Sequence, residues 1–120
     1  MTIQDSPLID HVEEGDIELV NGKHFKDAVL FPGGSHSWDC SSIGQDAEIS
    51  VDEVMELLEH NADILVLSES KDGKIPVSLD TVKMLMNKGV TVYIRKTEKA
   101  VRIYNKLAKR HKHVGAMIHS

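Results

Sequence analysis

Ile64-Leu65-Val66-Leu67 is an uninterrupted apolar run, and it opens into the polar loop Ser68-Glu69-Ser70-Lys71-Asp72-Gly73. The run has no polar residue at alternate positions, and a segment with helical periodicity lies on either side of it. Such a run is typical of a strand whose two faces are both covered by other elements. We therefore predict that residues 64–67 form a central strand, around which the remaining elements pack.

Helix and strand signals alternate on both sides of this strand. We predict helices that begin at the caps Ser50, Ser78 and Thr97, and strands at residues 64–67, 90–94 and 114–118. Ser50-Val51-Asp52-Glu53 fits a capping box, and Gly89 is expected to end the second helix. A strand, helix, strand, helix, strand order implies right-handed crossovers and a largely parallel sheet with helices on it, which is an α/β fold.

Apolar side chains at helical spacing identify the face of each helix that is expected to point inward. The predicted inward residues are Val51, Val54, Met55, Leu57 and Leu58 in the first helix, Leu79, Val82, Leu85 and Met86 in the second, and Ala100, Val101, Tyr104, Leu107 and Ala108 in the third. Each helix is therefore expected to cover the sheet with one apolar side and to expose its other side to solvent.

The N-terminal part of the chain is expected to hold a tail and a β-hairpin. Residues 1–15 are polar and contain Pro7 and Gly15, which predicts a partly mobile tail. We accordingly place the single α/β domain at residues 16–120. Asn21-Gly22 predicts a type I′ turn between two antiparallel strands, from Asp16 to Val20 and from Lys23 to Asp27.

The second arm of this hairpin is expected to continue through Ala28 to Phe31. Pro32-Gly33-Gly34-Ser35 then ends it, because proline removes a ladder donor and glycine permits backbone conformations that are closed to other residues. A long connection that contains Trp38 and Asp39 follows.

Composition indicates one soluble domain. A chain of 120 residues is long enough to bury about two-thirds of its unfolded surface in a single core. The one cysteine, Cys40, excludes an intramolecular disulfide and favours a reducing, cytoplasmic compartment. Met1 is not followed by a basic and apolar leader, and no apolar run has the length of a membrane span.

The net charge of −5 is divided unequally along the chain. Residues 1–60 hold 14 acidic and 2 basic side chains, a balance of −12, whereas residues 61–120 hold 5 and 12, a balance of +7. Such a division is typical of an interaction surface, although opposite charges also cancel within a fold. Both alternatives stay open at the level of the sequence.

Several segments of the chain together carry a family resemblance. They are Pro32-Gly33-Gly34-Ser35-His36-Ser37-Trp38-Asp39, Lys74-Ile75-Pro76-Val77, Thr97-Glu98-Lys99-Ala100-Val101 with Tyr104-Asn105, and Val114-Gly115-Ala116-Met117-Ile118-His119-Ser120. In this order and spacing they resemble the adipogenesis-associated domain proteins, also catalogued as domain of unknown function 498. That family includes mitochondrial complex I assembly factor 3.

The resemblance implies a compact three-layer α/β domain with a mixed central sheet, and an assembly or regulatory role. It implies no catalytic residue, and no reaction is agreed for the family. Relatives tend to have glycines after the central strand, where this chain has Ser68-Glu69-Ser70. This departure disfavours a phosphate-binding cradle in that loop.

Polar side chains gather at the predicted carboxyl ends of the parallel strands, where open α/β sheets tend to bind ligands. This candidate ligand site consists of Ser68, Glu69, Ser70, Arg95, Thr97 and His119. It offers hydroxyls, a carboxylate, an imidazole and a guanidinium beside a helix N-terminus, which suit a small anion or an acidic metabolite. Loops at strand ends are usually polar without any ligand, so a purely capping and solvated role stays open.

The candidate partner surface consists of Trp38, Asp39, Lys99, Arg102, Lys106 and Lys109. Its four cations are spaced away from the apolar stripe of the third helix, and they are typical either of a surface that binds an acidic protein or of a solvated helix face. Trp38 is interpreted either as a packed structural corner or as an exposed recognition aromatic. A pI of about 5.7 and the lack of interleaved aromatic residues disfavour nucleic acid as the partner.

No cofactor or metal site is predicted. His111 and His113 are spaced to share a strand face, with His119 near them, but no pattern of cysteines or HExxH supports zinc. Nothing in the sequence near Cys40 suggests an activating base.

The leading hypothesis is a non-enzymatic interaction or assembly domain that acts through a protein partner or through self-association. The alternative is a small-molecule-binding protein or an enzyme, in which Arg95 and the helix N-terminus at Thr97 hold an anion. Glu69 or His119 would then serve as the acid or base.

Overall fold

Residues 5–38, 51–69 and 78–119 are described by the computed structural model, and of His119 only the backbone is described. Strands and helices alternate in the second half of the chain as predicted, while the first half is richer in strands. The elements in chain order are β1 (Ile9–Glu13), β2 (Asp16–Leu19), β3 (His24–Phe25), β4 (Asp27–Phe31), β5 (Gly34–Ser37), α1 (Val51–Glu59), β6 (Ile64–Ser68), α2 (Leu79–Asn87), β7 (Thr91–Arg95), α3 (Thr97–Lys109) and β8 (Val114–His119).

The larger of two sheets contains five strands in the order β5-β4-β8-β6-β7. β6 pairs in parallel with both β8 and β7, whereas β4 pairs antiparallel with β8, and β5 antiparallel with β4. This arrangement confirms an α/β fold with a mixed central sheet. The apolar run that predicted the fold lies in β6, one strand away from the middle strand β8.

Each face of the larger sheet is covered by its own layer. α1 and α2 pack on one face, and α3 packs on the other together with the small antiparallel sheet β1-β2-β3. Leu65 and Leu67 of β6 point into the α1–α2 core, Val66 points into the α3 core, and all three are fully buried. The prediction that both faces of this strand are covered is therefore confirmed, and the domain has three layers.

Gly115 lets the α1 layer approach the middle strand closely. A Cβ atom at this position of β8 would lie 3.2 Å from the Cβ of Ala62 and 3.3 Å from the Cβ of Leu57. A glycine inside a strand often marks such a close approach. The separation of the sheet and α1 therefore depends on the absence of a side chain here.

Residues 5–15 are bound to the domain, so the expectation of an irregular tail does not hold for this part of residues 1–15. Ile9–Glu13 forms strand β1, which pairs antiparallel with β2. Ser6 Oγ donates to the Val114 carbonyl at 2.6 Å, and Tyr104 Oη donates to the Pro7 carbonyl at 2.6 Å. The polar composition of this segment did not indicate disorder, because its polar groups form hydrogen bonds with residues far away in the sequence.

The β2–β3 hairpin lies where it was predicted, but its turn and its second arm differ. Gly22 has a φ of 91°, whereas Asn21 has no positive φ, so the turn is not type I′, which needs a positive φ at both central residues. The Leu19 carbonyl accepts from the Gly22 N–H at 2.9 Å, as in a type I turn that a glycine follows. The second arm ends at Phe25, because Asp27–Phe31 leaves it to pair with β8.

A second hairpin replaces the first part of the predicted long connection. Gly33, with a φ of 93°, reverses the chain after Pro32, and β5 then pairs antiparallel with β4. A positive φ after proline is the geometry that a type II turn needs. The predicted end of the strand at Phe31 is therefore confirmed, and the same residues also lead into a new strand, β5, that was not predicted. The rest of the connection, with Asp39, Cys40 and the predicted cap Ser50, lies outside the described residues.

The inward face of α2 is rotated relative to the prediction. Leu85 is buried, but Leu79 and Met86 are 67% and 66% exposed, and Thr81 is buried instead. α2 lies over the edge strand β7, so one side of its apolar stripe extends beyond the sheet. In α1 the predicted stripe holds except for the exposed Val51, which is the first residue of the helix.

The predicted helix caps are partly confirmed. Ser78 caps α2, since its Oγ accepts from the Thr81 N–H at 3.2 Å. Thr97 does not cap α3. β7 runs one residue further than predicted, so Lys96 takes the capping position without a side-chain hydrogen bond, and Thr97 is the first helical residue.

The helices within the described part of the chain are short, and α3 with 13 residues is the longest of them. None of these helices has the length and apolar character that crossing a membrane requires.

Replacing Tyr104 with phenylalanine tests the attachment of the N-terminal segment. The change removes only the hydroxyl that donates to the Pro7 carbonyl, so we expect the free energy of unfolding in urea to fall by about 0.5–1.5 kcal/mol. Hydrogen exchange at the Val20 amide, which donates to the Leu8 carbonyl, should accelerate by more than the global change predicts. Unchanged exchange at Val20 and unchanged stability would contradict this attachment.

Candidate functional site

The carboxyl ends of β6 and β7 lie side by side, as the predicted ligand site requires. The Glu69 N–H donates to the Arg95 carbonyl at 2.8 Å, and β8 ends at the same edge because it runs parallel to β6. The backbones of Glu69, Arg95 and His119 therefore meet at one edge of the sheet. Ser70 and the side chain of His119 lie outside the described part of the chain.

Ser68 has a structural role in this arrangement. Its side chain is fully buried at the end of β6, and its Oγ donates to the Met117 carbonyl at 3.4 Å. A buried hydroxyl that bonds to the backbone of the next strand is not presented to a ligand. Ser68 thus joins β6 to β8 rather than lining a site.

A groove of about 920 Å³ opens between β1 and α3 and reaches this edge of the sheet. It brings Glu69 and Thr97 of the predicted site together with residues that the sequence did not connect to them. The lining consists of Ile9, Asp10, His11, Val12, Glu13, Glu14, Glu69, Lys96, Thr97, Glu98, Val101, Arg102 and Asn105. Its β1 wall was missed because the segment before residue 16 was expected to be a tail.

Asn105 holds the two walls of the groove together. The Ile9 N–H donates to its Oδ1 at 2.9 Å, and its Nδ2 donates to the Ile9 carbonyl at 2.8 Å. The side-chain amide thus pairs with the outer edge of β1 as a neighbouring strand would. This contact fixes the distance between β1 and α3, so the groove is a preformed feature of the fold.

The charge of the groove is predominantly acidic. Carboxylates line it at Asp10, Glu13, Glu14, Glu69 and Glu98. Arg102 Nη2 lies 3.0 Å from a Glu98 oxygen, and His11 Nε2 lies 2.8 Å from a Glu13 oxygen. The hydrogen bond to Glu13 raises the pKa of His11 above its ordinary value. Such a lining favours a ligand that carries positive charge.

The helix N-terminus beside the groove is poorly arranged for an anion. Glu98 lies in the first turn of α3, where its carboxylate already interacts with the positive end of the helix dipole. Arg95 does not line the groove. Its guanidinium donates to the Ile94 carbonyl at 2.8 Å and borders a different depression beside α2. The structure thus separates two groups that the anion hypothesis needs together.

The basic face of α3 is exposed. Ala100, Tyr104 and Ala108 are buried against the sheet, and the cationic side chains lie on the other sides of the helix. The exposed cations on α3 and next to it are Lys96, Lys99, Arg102, Lys106, Lys109, Arg110 and Lys112. This distribution is the one that the spacing of the sequence predicts.

Trp38 does not share a surface with α3. Its side chain is 8% exposed and belongs to the α1–α2 core, on the opposite face of the sheet. Its indole Nε1 donates to Glu53 Oε2 at 2.8 Å. Trp38 is therefore the packed structural corner and is separate from the cations of α3, whereas Asp39 lies outside the described residues.

His36 fastens the β5 hairpin to α1 through a contact that the sequence does not reveal. Its Nε2 is hydrogen-bonded to Glu56, and its Nδ1 lies 2.7 Å from the Ser37 carbonyl oxygen. A carbonyl oxygen and an ionised carboxylate only accept hydrogen bonds, so both ring nitrogens carry a proton in this arrangement. Burial by itself lowers the pKa of His36, but these two hydrogen bonds raise it above its ordinary value.

The remaining histidines do not form a metal site within the described residues. His111 has a φ of 60° and lies in the turn before β8, where its Nδ1 is 2.9 Å from an Asp5 oxygen. His113 precedes the strand as well, so the expectation that the two share a strand face is wrong. In the described ranges, no three His, Cys, Asp or Glu side chains converge as metal ligands.

Comparisons with known proteins support the fold. A family described as "Protein of unknown function (DUF498/DUF598)" matches residues 9–119. A protein from Bartonella henselae described as an outer membrane protein is similar in structure, with a TM-score of 0.75 and 18% sequence identity, over 99% of this chain and 98% of its own.

Two further solved structures are similar to this chain. A conserved hypothetical protein from Pyrococcus horikoshii OT3 has a TM-score of 0.74 and 21% identity, over 92% of this chain and 96% of its own. A Bordetella pertussis protein described as a Mth938-like domain has a TM-score of 0.68 and 17% identity, over 93% of this chain and 84% of its own. At these identities the similarity establishes the fold alone.

The contact between His36 and Glu56 predicts a pH-dependent contribution to stability. Because the folded pKa of His36 is raised, this contribution is complete below the ordinary histidine pKa of 6.5 and is lost as the pH rises through the higher folded value. We expect His36→Gln to destabilise the protein more at about pH 6 than at about pH 8.5. Because the His36 side chain is 47% exposed, the difference should stay within about 1 kcal/mol.

Urea titrations of both proteins at the two pH values measure this difference. Glu56→Gln serves as the matched control, since it removes the charge that His36 contacts and should reduce the same pH dependence, while the hydrogen bond to the Ser37 carbonyl remains. If the wild-type and His36→Gln proteins lose stability equally with pH, the contact does not contribute in the way described.

Proposed function

Since the chain belongs to the family of proteins of unknown function DUF498/DUF598, whose description names no reaction, we propose a role from its surfaces. We infer that it is a non-enzymatic interaction or assembly domain, and that the exposed basic face of α3 binds an acidic surface of a protein partner. This face consists of Lys99, Arg102, Lys106 and Lys109. The observation that carries the proposal is the exposure of these four cations on one rigid helix.

Two properties of α3 support this role. The helix is held firmly, because Tyr104 and Asn105 bond to the N-terminal segment while Ala100 and Ala108 pack on the sheet. A rigid helix presents its charges with little loss of entropy on binding. Within the described part of the chain, Arg102 is the one of these four cations that forms an ion pair, and that pair with Glu98 is itself exposed.

The proposal also concerns location. A single cysteine in 120 residues is typical of proteins in a reducing compartment. We therefore propose that the domain works in the cytoplasm, where an acidic protein partner meets the basic face of α3.

Reversing the charges of α3 tests the proposal. Changing Arg102, Lys106 and Lys109 to glutamate should weaken binding of the acidic partner by at least about tenfold, because like charges then face one another. The measurement is quantitative capture, from the native cells, of chains that bind the tagged protein, followed by titration of the identified partner. Binding should also weaken as salt is raised.

Two matched double variants distinguish an effect of the net charge of the protein from an effect of charges located on α3. Lys106→Glu with Lys109→Glu leaves the Glu98–Arg102 ion pair in place, and Lys23→Glu with Lys26→Glu makes the same change in net charge outside α3, beside strand β3. Only the α3 pair should lose the partner. Equal loss in both pairs, or none in either, would remove α3 as the contact surface.

The groove between β1 and α3 supports a second candidate function, the binding of a small molecule. Its volume of about 920 Å³ lies within the range of ligand sites, which is about 300–1,000 Å³. The lining at Asp10, Glu69 and Glu98 favours a cationic ligand over the small anion that the sequence suggested. An enzymatic version of this candidate would use Glu69 as the acid or base.

Thermal shifts with matched cationic and anionic compounds test this second candidate. A bound cation such as a polyamine at 100 times its dissociation constant should add about 2.7 kcal/mol to the stability. Citrate and phosphate should have no effect. Glu69→Gln should reduce the response to the cation, while Glu59→Gln on the exposed end of α1 should not. A response to anions alone would favour the original anion hypothesis.

A further inference from the structure

The outer edge of β7 and the side of α2 above it form an apolar depression of about 450 Å³. Val82 and Met86 of α2 face Val92 and Ile94 of β7 across it, and Leu79 is exposed one helical turn further along the same stripe. Apolar stripes of this kind are unusual on the free surface of a monomer. The sequence predicts Leu79 and Met86 as core, yet the described chain leaves both of them uncovered.

The same place holds an unpaired strand edge. Among the described residues, no strand pairs with β7 on the side away from β6. The Thr91 N–H donates to Asp63 at 3.1 Å, and the Arg95 carbonyl accepts from Glu69, so these residues turn their polar backbone groups toward β6. Because such groups alternate along a parallel pair, those of Val92 and Ile94 point outward. The outward Ile94 carbonyl accepts from the Arg95 guanidinium, a bond that pairing with another strand would replace.

Apart from the Arg95 guanidinium on the Ile94 carbonyl, the part of the chain that the structure describes gives this edge none of the usual protection against pairing. Native edge strands carry proline, lysine or a bulge, or they are covered by another element. β7 reads Thr-Val-Tyr-Ile-Arg and pairs with β6 in unbroken register. Its single charge, Arg95, stands at the end of the strand. The edge is therefore suited to receive another strand.

We propose that this edge is a self-association surface, at which β7 pairs antiparallel with β7 of a second copy of the chain. With Tyr93 opposite Tyr93, Val92 of each copy exchanges both hydrogen bonds with Ile94 of the other, so the outward groups match. The two-fold axis of such a pair is perpendicular to the sheet, which places both α2 helices on the same face. Their exposed stripes then cover one another.

Charge also favours a second copy over an unrelated strand. In this register Arg95 lies opposite Thr91 of the second copy, and the Thr91 backbone is bonded to Asp63. The exposed Asp63 and Arg95 are therefore brought near one another twice by the symmetry. One symmetric contact therefore pairs the strand edge, covers the apolar stripe and brings these opposite charges close together.

Sedimentation of the whole chain over a range of concentrations tests the proposal. The wild-type protein should form dimers below about 100 µM, and Met86→Glu should weaken the dimer by at least about tenfold because it places charges in the apolar contact. Val20 is the matched control, since it is 63% exposed against 66% for Met86 but lies in the β2–β3 turn. Val20→Glu should leave the dimer unchanged.

A charge exchange tests the register. Arg95→Asp and Asp63→Arg should each weaken self-association, whereas the double variant should restore it, and the two single variants should form a mixed dimer when combined. Circular dichroism establishes that each variant is folded. A wild-type monomer at about 100 µM would overturn the proposal, and so would a dimer that Met86→Glu leaves intact. Since these changes lie away from the basic face of α3, they leave partner capture by that face as an independent measurement.

Discussion

The parallel pairing of β6 with both β8 and β7 is the constraint on which the remaining structure depends. An apolar strand in the interior of a sheet loses its favourable burial unless both faces are covered. Leu65 and Leu67 need the α1–α2 layer, and Val66 needs the α3 layer. Parallel neighbours also require crossover connections, and α2 and α3 are those connections. The three layers therefore follow from one pairing pattern.

The second half of the fold was predictable because its elements are local. Each helix and strand after residue 60 has its own periodicity and its own end signal, and their alternation defines the parallel strands. The first half was not predictable in the same way. β1 and β5 have polar sequences, and their pairing depends on contacts such as Ser6 with Val114 that join residues far apart in the chain. A local sequence pattern does not reveal contacts between residues that are so far apart in the chain.

The candidate site was predictable only in part, for the same reason. The edge of the sheet followed from strand order, and it does bring Glu69 and Arg95 together. The groove also needs β1, and its charge depends on Asp10 and Glu13, which had been assigned to a tail. The sequence also does not determine where a side chain points at the end of a strand. Arg95 was therefore grouped with Thr97, although its side chain borders the depression beside α2.

The division of charge along the sequence left two alternatives open, an interaction surface or opposite charges brought together within the fold. The structure has features of both. β1, with Asp10 and Glu13, lies against α3, which carries Lys99, Arg102, Lys106 and Lys109, so acidic residues of the first half and basic residues of the second half are neighbours in the fold. The contact between Asp5 and His111 likewise joins the two halves of the chain. What remains is an acidic groove on one side of α3 and a basic face on its outer side.

This arrangement restricts how a partner can approach α3. An acidic surface that moves toward the helix from the β1 side meets Asp10, Glu13 and Glu69 first, and like charges at close range cost several kcal/mol. From the outer side it meets Lys99, Lys106 and Lys109 without that repulsion. The adjacent acidic groove would therefore orient the proposed acidic partner, because it repels that partner from the β1 side of α3 and leaves the outer side of the helix open to it.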